Sequence, residues 1–165
     1  MTINIRLLYL AGAVACTALL GYGLWLQHVD GLEPCPLCVF QRIAFIALGL
    51  VFMTAALHGP RRRGAIVYGV LGVIAAAVGA GVAGRHVWLQ SLPPDQVPAC
   101  GPGLQYMLEQ FPLQRMIEKV LSGSGECASV DWSFLGLTIP GWAFAWFVLL
   151  GIYALWLIWR AGRSG

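Results

Sequence analysis

Residues 31–50, GLEPCPLCVFQRIAFIALGL, join a CxxC pair to a long apolar run. Cys35 and Cys38 stand where the run begins, and Arg42 follows within it. In a soluble protein a CxxC pair indicates redox chemistry or a metal site. Here the apolar run indicates a membrane, so we expect the pair to lie at the boundary between water and lipid.

The rest of the chain has the composition of a membrane protein. Of its 165 residues, 59% are apolar and 10% are charged, whereas soluble domains average about 45–50% apolar and about 25% charged residues. Four apolar blocks approach the roughly 20 residues that cross a bilayer as a helix: 7–26, 39–57, 65–84 and 142–159. They lack the alternation of barrel strands. The sequence therefore predicts an all-α membrane protein, a bundle of four transmembrane helices forming one integral domain over residues 1–165.

Charge predicts which side of the membrane each loop faces. Six of the ten basic residues lie at the helix ends on one side: Arg6, Arg61, Arg62, Arg63, Arg160 and Arg163. All seven acidic residues lie in the two loops on the other side, residues 27–38 and 85–141. Because basic residues mark cytoplasmic segments, we expect both termini in the cytoplasm and both loops outside.

Four of the five cysteines fall in these outer loops. Cys35 and Cys38 lie in the first loop and Cys100 and Cys127 in the second. Cys16 falls within the first helix, where a free cysteine acts as a small hydrophobe. An even set on the oxidising side indicates two disulfides. Three pairings are open, and the CxxC spacing favours Cys35 with Cys38, which leaves Cys100 with Cys127.

These bridges could be structural or redox-active. Loop entropy gives roughly 2 kcal/mol of stabilisation for a Cys35–Cys38 bridge and roughly 3.6 kcal/mol for a Cys100–Cys127 bridge. The short bridge is a poor staple and is predicted to be a redox pair. For the long bridge, the sequence spacing does not distinguish a structural disulfide from a redox-active one.

A metal site is an alternative use of the same residues. The four cysteines together, or two of them with His28 and His86, would supply suitable ligands for zinc. Cys100 and Cys127 are far apart in the sequence, unlike the tight second pair of a zinc ribbon. No metal is therefore expected.

Cys38 is well placed to act as a thiolate. Pro34 and Pro36 favour an extended chain before it, so we expect the helix to begin near Leu37 or Cys38. The Cys38 sulfur would then lie at the positive end of the helix. Arg42 shares that helix face, and we expect its permanent charge to stabilise both the thiolate and the anionic oxygen of a reduced acceptor.

The expected acceptor is a lipid-soluble two-electron carrier, because such a carrier can reach this boundary laterally. A quinone fits that description. His86 follows the third apolar block at a similar depth and is expected to donate a hydrogen bond to a quinone oxygen.

Two further patterns lie outside the CxxC segment, one in the second loop and one in the third apolar block. Residues 111–121, FPLQRMIEKVL, have helical periodicity and predict a short helix lying on the membrane surface. Its flanks are rich in Pro, Gly and Ser, so we expect Cys100 in an extended strip that an external protein can reach. In the third block Gly72, Ala76, Ala80 and Gly84 form a ridge that predicts close helix packing. The sequence shows no nucleic-acid-binding patch.

Taken in order, these motifs resemble the disulfide-bond formation protein B (DsbB) family. The segments that carry the resemblance are WLQHV (25–29), PCPLCVFQR (34–42), RHVWLQ (85–90), AC (99–100), SGEC (124–127) and DWSFLGLTIPGW (131–142). The resemblance implies an enzyme of the bacterial inner membrane, with its cysteine loops in the periplasm. Such an enzyme reoxidises a DsbA-like thioredoxin-fold protein and passes the electrons to ubiquinone or menaquinone. A relative dedicated to one substrate, or less readily a membrane metal-binding protein, remains the alternative.

The resemblance also implies roles for individual residues. Cys35 and Cys38 match the quinone-linked pair, and Arg42 and His86 match the residues near the quinone ring. Cys100 matches the cysteine that forms a mixed disulfide with the DsbA-like partner, and Cys127 is its mate. Exchange between the two pairs would transiently join Cys35 to Cys127. Some family members carry an acidic residue where this chain has Gln41.

Overall fold

The computed structural model describes residues 4–93, 95–97, 112, 114–115, 120, 125–130 and 132–163. Four helices dominate them: α1 (Ile5–Val29), α2 (Pro36–His58), α3 (Arg62–Gln90) and α4 (Ile139–Arg163). Before α4 come a 3-10 turn, Gly125–Cys127, and an antiparallel hairpin of β1 (Ser133–Phe134) and β2 (Leu137–Thr138). Within the described residues, these four helices are the ones long and apolar enough to cross a membrane. The predicted all-α, four-helix architecture is confirmed.

The third helix runs further than its apolar block. Residues 85–90, expected to open the second loop, continue α3 as far as Gln90. Nothing in RHVWLQ breaks a helix, and the guanidinium of Arg85 stacks on Trp88 at 4.1 Å. His86 is therefore a helical residue with a fixed orientation rather than a loop residue.

The start of α2 is defined by the CxxC motif itself. Cys35 is the N-cap residue in an extended conformation, and Pro36 occupies the first turn. At that position a backbone N–H would have no partner within the helix, so the missing N–H of proline costs no hydrogen bond. The helix thus begins slightly before the expected Leu37 or Cys38. At its other end Gly59, with φ of +61°, ends the helix in the left-handed conformation that favours glycine.

Small residues allow α3 to pack closely within the bundle. The buried stripe of α3 comprises Ala65, Gly69, Gly72, Ala76, Gly79 and Ala83, followed by His86. It coincides with the predicted ridge at Gly72 and Ala76 but otherwise follows the three- and four-residue spacing of a helix face, so that Ala80 and Gly84 are half-buried. The most extensive helix contact is between α3 and α4.

Hydrogen bonds join the helices at the end away from the CxxC motif. Tyr9 donates to the Ala65 carbonyl at 2.6 Å, and Tyr153 donates to the Leu8 carbonyl at 2.8 Å. Arg6 donates to the Leu57 carbonyl at 3.3 Å. With this end fixed, the alternating helices bring the C-terminal ends of α1 and α3 and the N-terminal ends of α2 and α4 together at the other.

Two predicted features of the second loop are not described. The predicted surface helix, residues 111–121, lies largely outside the described residues, and Cys100 lies outside them altogether.

Candidate functional site

The CxxC pair lies at the N-terminus of α2. The Sγ atoms of Cys35 and Cys38 are 3.2 Å apart, with the thiol of Cys35 donating toward Cys38. The backbone N–H of Cys38 donates to the Sγ of Cys35 at 3.4 Å. Both side chains are half-buried and neither is in a disulfide. The helix N-terminus provides a positive field that favours a thiolate at this pair.

His86 reaches across from α3 and contacts both sulfurs. Its Nε2 lies 3.7 Å from the Sγ of Cys35, and its Nδ1 lies 4.0 Å from the Sγ of Cys38. His86 was expected to approach a quinone oxygen, and the structure adds this direct contact with the dithiol.

Gln41 holds the imidazole in place. Its side-chain amide lies 3.0 Å from Nδ1 of His86, and only 4% of Gln41 and 2% of His86 are exposed. The orientation of this amide determines which ring nitrogen of His86 carries the proton. No role was assigned to Gln41 from the sequence. The signal available there was its place next to Arg42, at a position where some family members carry an acidic residue.

Arg42 is fixed to α1. It donates to the side-chain oxygen of Gln27 at 2.6 Å and to the Gly23 carbonyl at 3.2 Å. Arg42 and Cys38 line the same cavity, as their shared helix face predicted. Gln27 was not singled out from the sequence, because its pairing depends on how α1 and α2 pack.

Cys127 comes from the second loop and lies beside the first pair. It is buried in a small apolar cluster with Leu37, Leu89 and Val120. Its Sγ, the Sγ of Cys35 and a ring nitrogen of His86 all lie within 4.8 Å of one another. The structure therefore brings together five of the six predicted site residues, while Cys100 is outside the described residues.

A cavity of about 400 Å³ opens beside the sulfurs. Its polar lining includes Cys35, Cys38, Gln41, Arg42 and His86. Much of the remaining lining is aromatic, from Tyr22, Phe45, Trp132, Phe134, Trp142 and Trp146. A largely apolar cavity of this size with a few convergent polar groups suits a small flat ligand. The residues present thus fit the head group of a quinone, with aromatic side chains to surround its ring and a guanidinium for an oxygen.

The hairpin that walls the cavity is tied to α3. Thr138 donates to the side-chain oxygen of Gln90 at 2.7 Å, and the amide of Gln90 donates to the Ser129 carbonyl at 3.1 Å. Trp142 donates to the Phe134 carbonyl at 3.1 Å. These bonds fix the aromatic wall relative to the helix that carries His86.

Comparison with known proteins matches most of the chain to one named family. The family model described as "Disulfide bond formation protein DsbB" matches residues 5–157. A protein of Nitrosococcus oceani named Disulfide bond formation protein B is 52% identical over 165 residues, covering 100% of this chain and 96% of the relative. Proteins of the same name from Hahella chejuensis and Acinetobacter baumannii are 53% and 47% identical, covering 92% and 97% of this chain and 90% and 94% of their own lengths.

Proposed function

Because the chain belongs to the DsbB family of disulfide bond formation proteins, we propose that it reoxidises a DsbA-like dithiol protein and transfers the two electrons to membrane quinone. The family and the four long apolar helices make it a multi-pass membrane protein with a disulfide-forming oxidoreductase role. The observation that carries the finer proposal is the position of Cys35 and Cys38 on the wall of the aromatic cavity, with the Sγ of Cys127 within 4.8 Å of the Sγ of Cys35.

The proposed reaction starts at the second pair of cysteines. A thiolate of the partner attacks Cys100 in a Cys100–Cys127 disulfide, and Cys127 leaves as a thiolate. The second partner thiol then attacks the mixed disulfide, which releases the oxidised partner and reduces Cys100. Two electrons and two protons have left the partner, and the pair Cys100 and Cys127 holds the electrons.

The electrons then pass to the first pair by exchange. Cys127 attacks Cys35 in a Cys35–Cys38 disulfide, and Cys38 leaves as a thiolate. Cys100 attacks Cys127 in the resulting bridge, which restores the Cys100–Cys127 disulfide and leaves Cys35 reduced. The short separation of the Cys127 and Cys35 sulfurs supports this route, because exchange requires a thiolate to approach a disulfide sulfur.

Residues around the cavity would hold and complement the acceptor. When bound, ubiquinone or menaquinone supplies the oxidising power, since it takes up two electrons and two protons. Arg42 offers a fixed positive charge for an oxygen, held by Gln27 and Gly23. His86 contacts both sulfurs and lines the same cavity, so it is in a position to move a proton from a thiol.

We place the enzyme in the bacterial inner membrane as one integral unit over residues 1–165. Both termini would be cytoplasmic and the cysteine loops periplasmic. The basic helix ends support this orientation, and so does the need of a DsbA-like partner to reach Cys100.

The test uses the purified full chain in lipid nanodiscs, a reduced DsbA-like protein and a soluble ubiquinone or menaquinone analogue. We expect two partner thiols to be lost for each quinone reduced, and neither change without the enzyme. Thiol loss that does not depend on quinone would contradict the proposal. Comparing several thioredoxin-fold partners in the same assay separates a general oxidase from a relative dedicated to one substrate, since the latter oxidises one partner far faster than the others.

A further inference from the structure

Three soft donor atoms from three separate elements meet beside the cavity. Cys35 lies at the N-cap of α2, His86 on α3 and Cys127 in the 3-10 turn, and their donor atoms lie within 4.8 Å of one another. A zinc ion with Zn–S of about 2.3 Å and Zn–N of about 2.0 Å keeps its donors about 3.5 Å apart. The 3.7 Å between Cys35 Sγ and His86 Nε2 already fits that spacing, and small movements would bring Cys127 into range.

The environment of His86 also suits a metal ligand. Metal-binding histidines almost always donate their second ring N–H to a fixed acceptor. The side chain of Gln41, 3.0 Å from Nδ1, can present its oxygen there because its amide oxygen and nitrogen are interchangeable by rotation. Nε2 would then direct its lone pair toward Cys35. Gln41 is buried and bonded to His86, so the imidazole is held for this task without help from the metal.

We propose that the site, when Cys35 and Cys127 are both thiols, binds one soft divalent cation of the zinc class, and that the bound cation inhibits the enzyme. Cys35, His86 Nε2 and Cys127 are the protein ligands, and the fourth position faces the cavity. Thiolate and imidazole donors select zinc or cadmium over magnesium or calcium. The inhibition rests on the proposed function, because it requires Cys35 and Cys127 to exchange disulfides.

Binding changes no oxidation state. The cation displaces the thiol protons of Cys35 and Cys127, and these two protons pass to solvent. The coordinated sulfurs can no longer attack a disulfide, so the enzyme is held in its reduced form. A disulfide at either cysteine removes a ligand, so the oxidised enzyme cannot form the site.

The first test measures binding to the full chain in nanodiscs, titrated with Zn²⁺ after reduction and removal of the reductant. We expect one Zn²⁺ per reduced chain, with about two protons released, and no stoichiometric binding after oxidation with quinone. Cd²⁺ should give the ultraviolet band of thiolate coordination, and Mg²⁺ should neither bind nor compete. Equal Zn²⁺ binding by the reduced and oxidised enzyme would overturn the proposal.

Variants separate this site from scattered cysteine binding. Cys127→Ser and His86→Gln should each weaken Zn²⁺ binding at least about 100-fold, and Gln41→Leu about 10- to 100-fold through the loss of its bond to His86. Cys16→Ala, which alters a buried cysteine away from the site, should bind as the unmodified chain does. Gel filtration and thermal unfolding identify any variant that fails to fold. Undiminished binding in folded Cys127→Ser and His86→Gln would overturn the assignment.

A parallel activity assay separates this inference from the proposed function. Zn²⁺ added to the reduced enzyme should stop thiol oxidation, and a chelator should restore it. Full activity with a stoichiometric excess of Zn²⁺ would overturn the inhibitory role and leave the oxidase proposal intact. Stoichiometric Zn²⁺ binding by a chain that oxidises no dithiol even when metal-free would instead overturn the proposed function, and with it the inhibition.

Discussion

The Nε2 atom of His86 on α3 lies 3.7 Å from the Sγ atom of Cys35, the N-cap residue of α2, although the two residues are 51 positions apart in the sequence. This contact makes α3 part of the dithiol site. The proposed role of His86 in moving thiol protons, in addition to the expected contact with quinone, rests on this contact.

The first prediction concerns this imidazole. We expect His86→Gln to lower kcat for quinone-dependent thiol oxidation by about 10²-fold, the lower range for loss of an acid–base group, because an amide cannot carry the proton. The KM of the DsbA-like partner should change little, since partner docking is expected around Cys100. The measurement is steady-state quinone reduction.

His28→Gln provides the matched control. His28 lies near the same end of the bundle but is exposed and bonded to the Leu24 carbonyl, so its replacement should leave kcat unchanged. Equal losses in the two variants would mean that the effect of His86→Gln is not specific to the dithiol.

The second prediction concerns Arg42. Arg42→Gln should raise the KM for quinone about 10- to 100-fold, because a hydrogen bond to a charged group contributes about 1.5–3 kcal/mol and each tenfold change corresponds to about 1.4 kcal/mol. Arg42→Lys should raise the KM less, since it keeps the charge. An effect should remain, because lysine lacks the guanidinium fork that binds Gln27 and Gly23. Arg62→Lys, at the exposed start of α3, is the control. An unchanged KM in Arg42→Gln would remove Arg42 from the proposed acceptor site.

The third prediction tests exchange between the two cysteine pairs. In a Cys38→Ser, Cys100→Ser double variant, Cys35 and Cys127 should form a disulfide on mild oxidation, because their sulfurs lie within 4.8 Å. Peptide mapping under non-reducing conditions detects the bridge. When Cys35→Ser is added, Cys127 should stay unbridged, because Cys16 is buried inside the helix bundle. The prediction would be wrong if the double variant formed no bridge between Cys35 and Cys127. It would also be wrong if the triple variant formed a Cys16–Cys127 bridge.

The helices and the position of the CxxC pair at the start of α2 could be predicted because each depends on local sequence. The apolar blocks identify four helices, and the proline residues around Cys35 indicate where α2 begins. The C-terminal end of α3 was harder to predict, since the length of an apolar block does not show how far a helix extends beyond the lipid. His86 consequently belongs to a helix rather than to a loop.

Contacts between helices could not be predicted in this way. The bonds from Gln41 to His86 and from Arg42 to Gln27 depend on the rotation of each helix about its axis, which a sequence pattern restricts only broadly. The aromatic wall was missed for a related reason. Trp132 and Phe134 precede α4 in the sequence, but they become cavity residues only because the hairpin is bonded to Gln90.

The last prediction concerns the bundle that holds the site. A Cβ atom at Gly79 would overlap the ring of Phe147, whose own face stacks on Phe45 with a centroid distance of 3.9 Å. Since Phe147 is fully buried, its ring has little room to move, and Gly79→Ala should lower the free energy of unfolding by about 1–3 kcal/mol, the usual cost of overpacking. Gly81→Ala is the matched control on the same helix, because no atom lies within 4 Å of its added Cβ. The control should be neutral or gain up to about 1 kcal/mol from the better helix propensity of alanine. Unfolding in detergent micelles titrated with a denaturing detergent measures both variants. If Gly79→Ala proves as stable as Gly81→Ala, then close packing of α3 against α4 at Phe147 does not hold the bundle together.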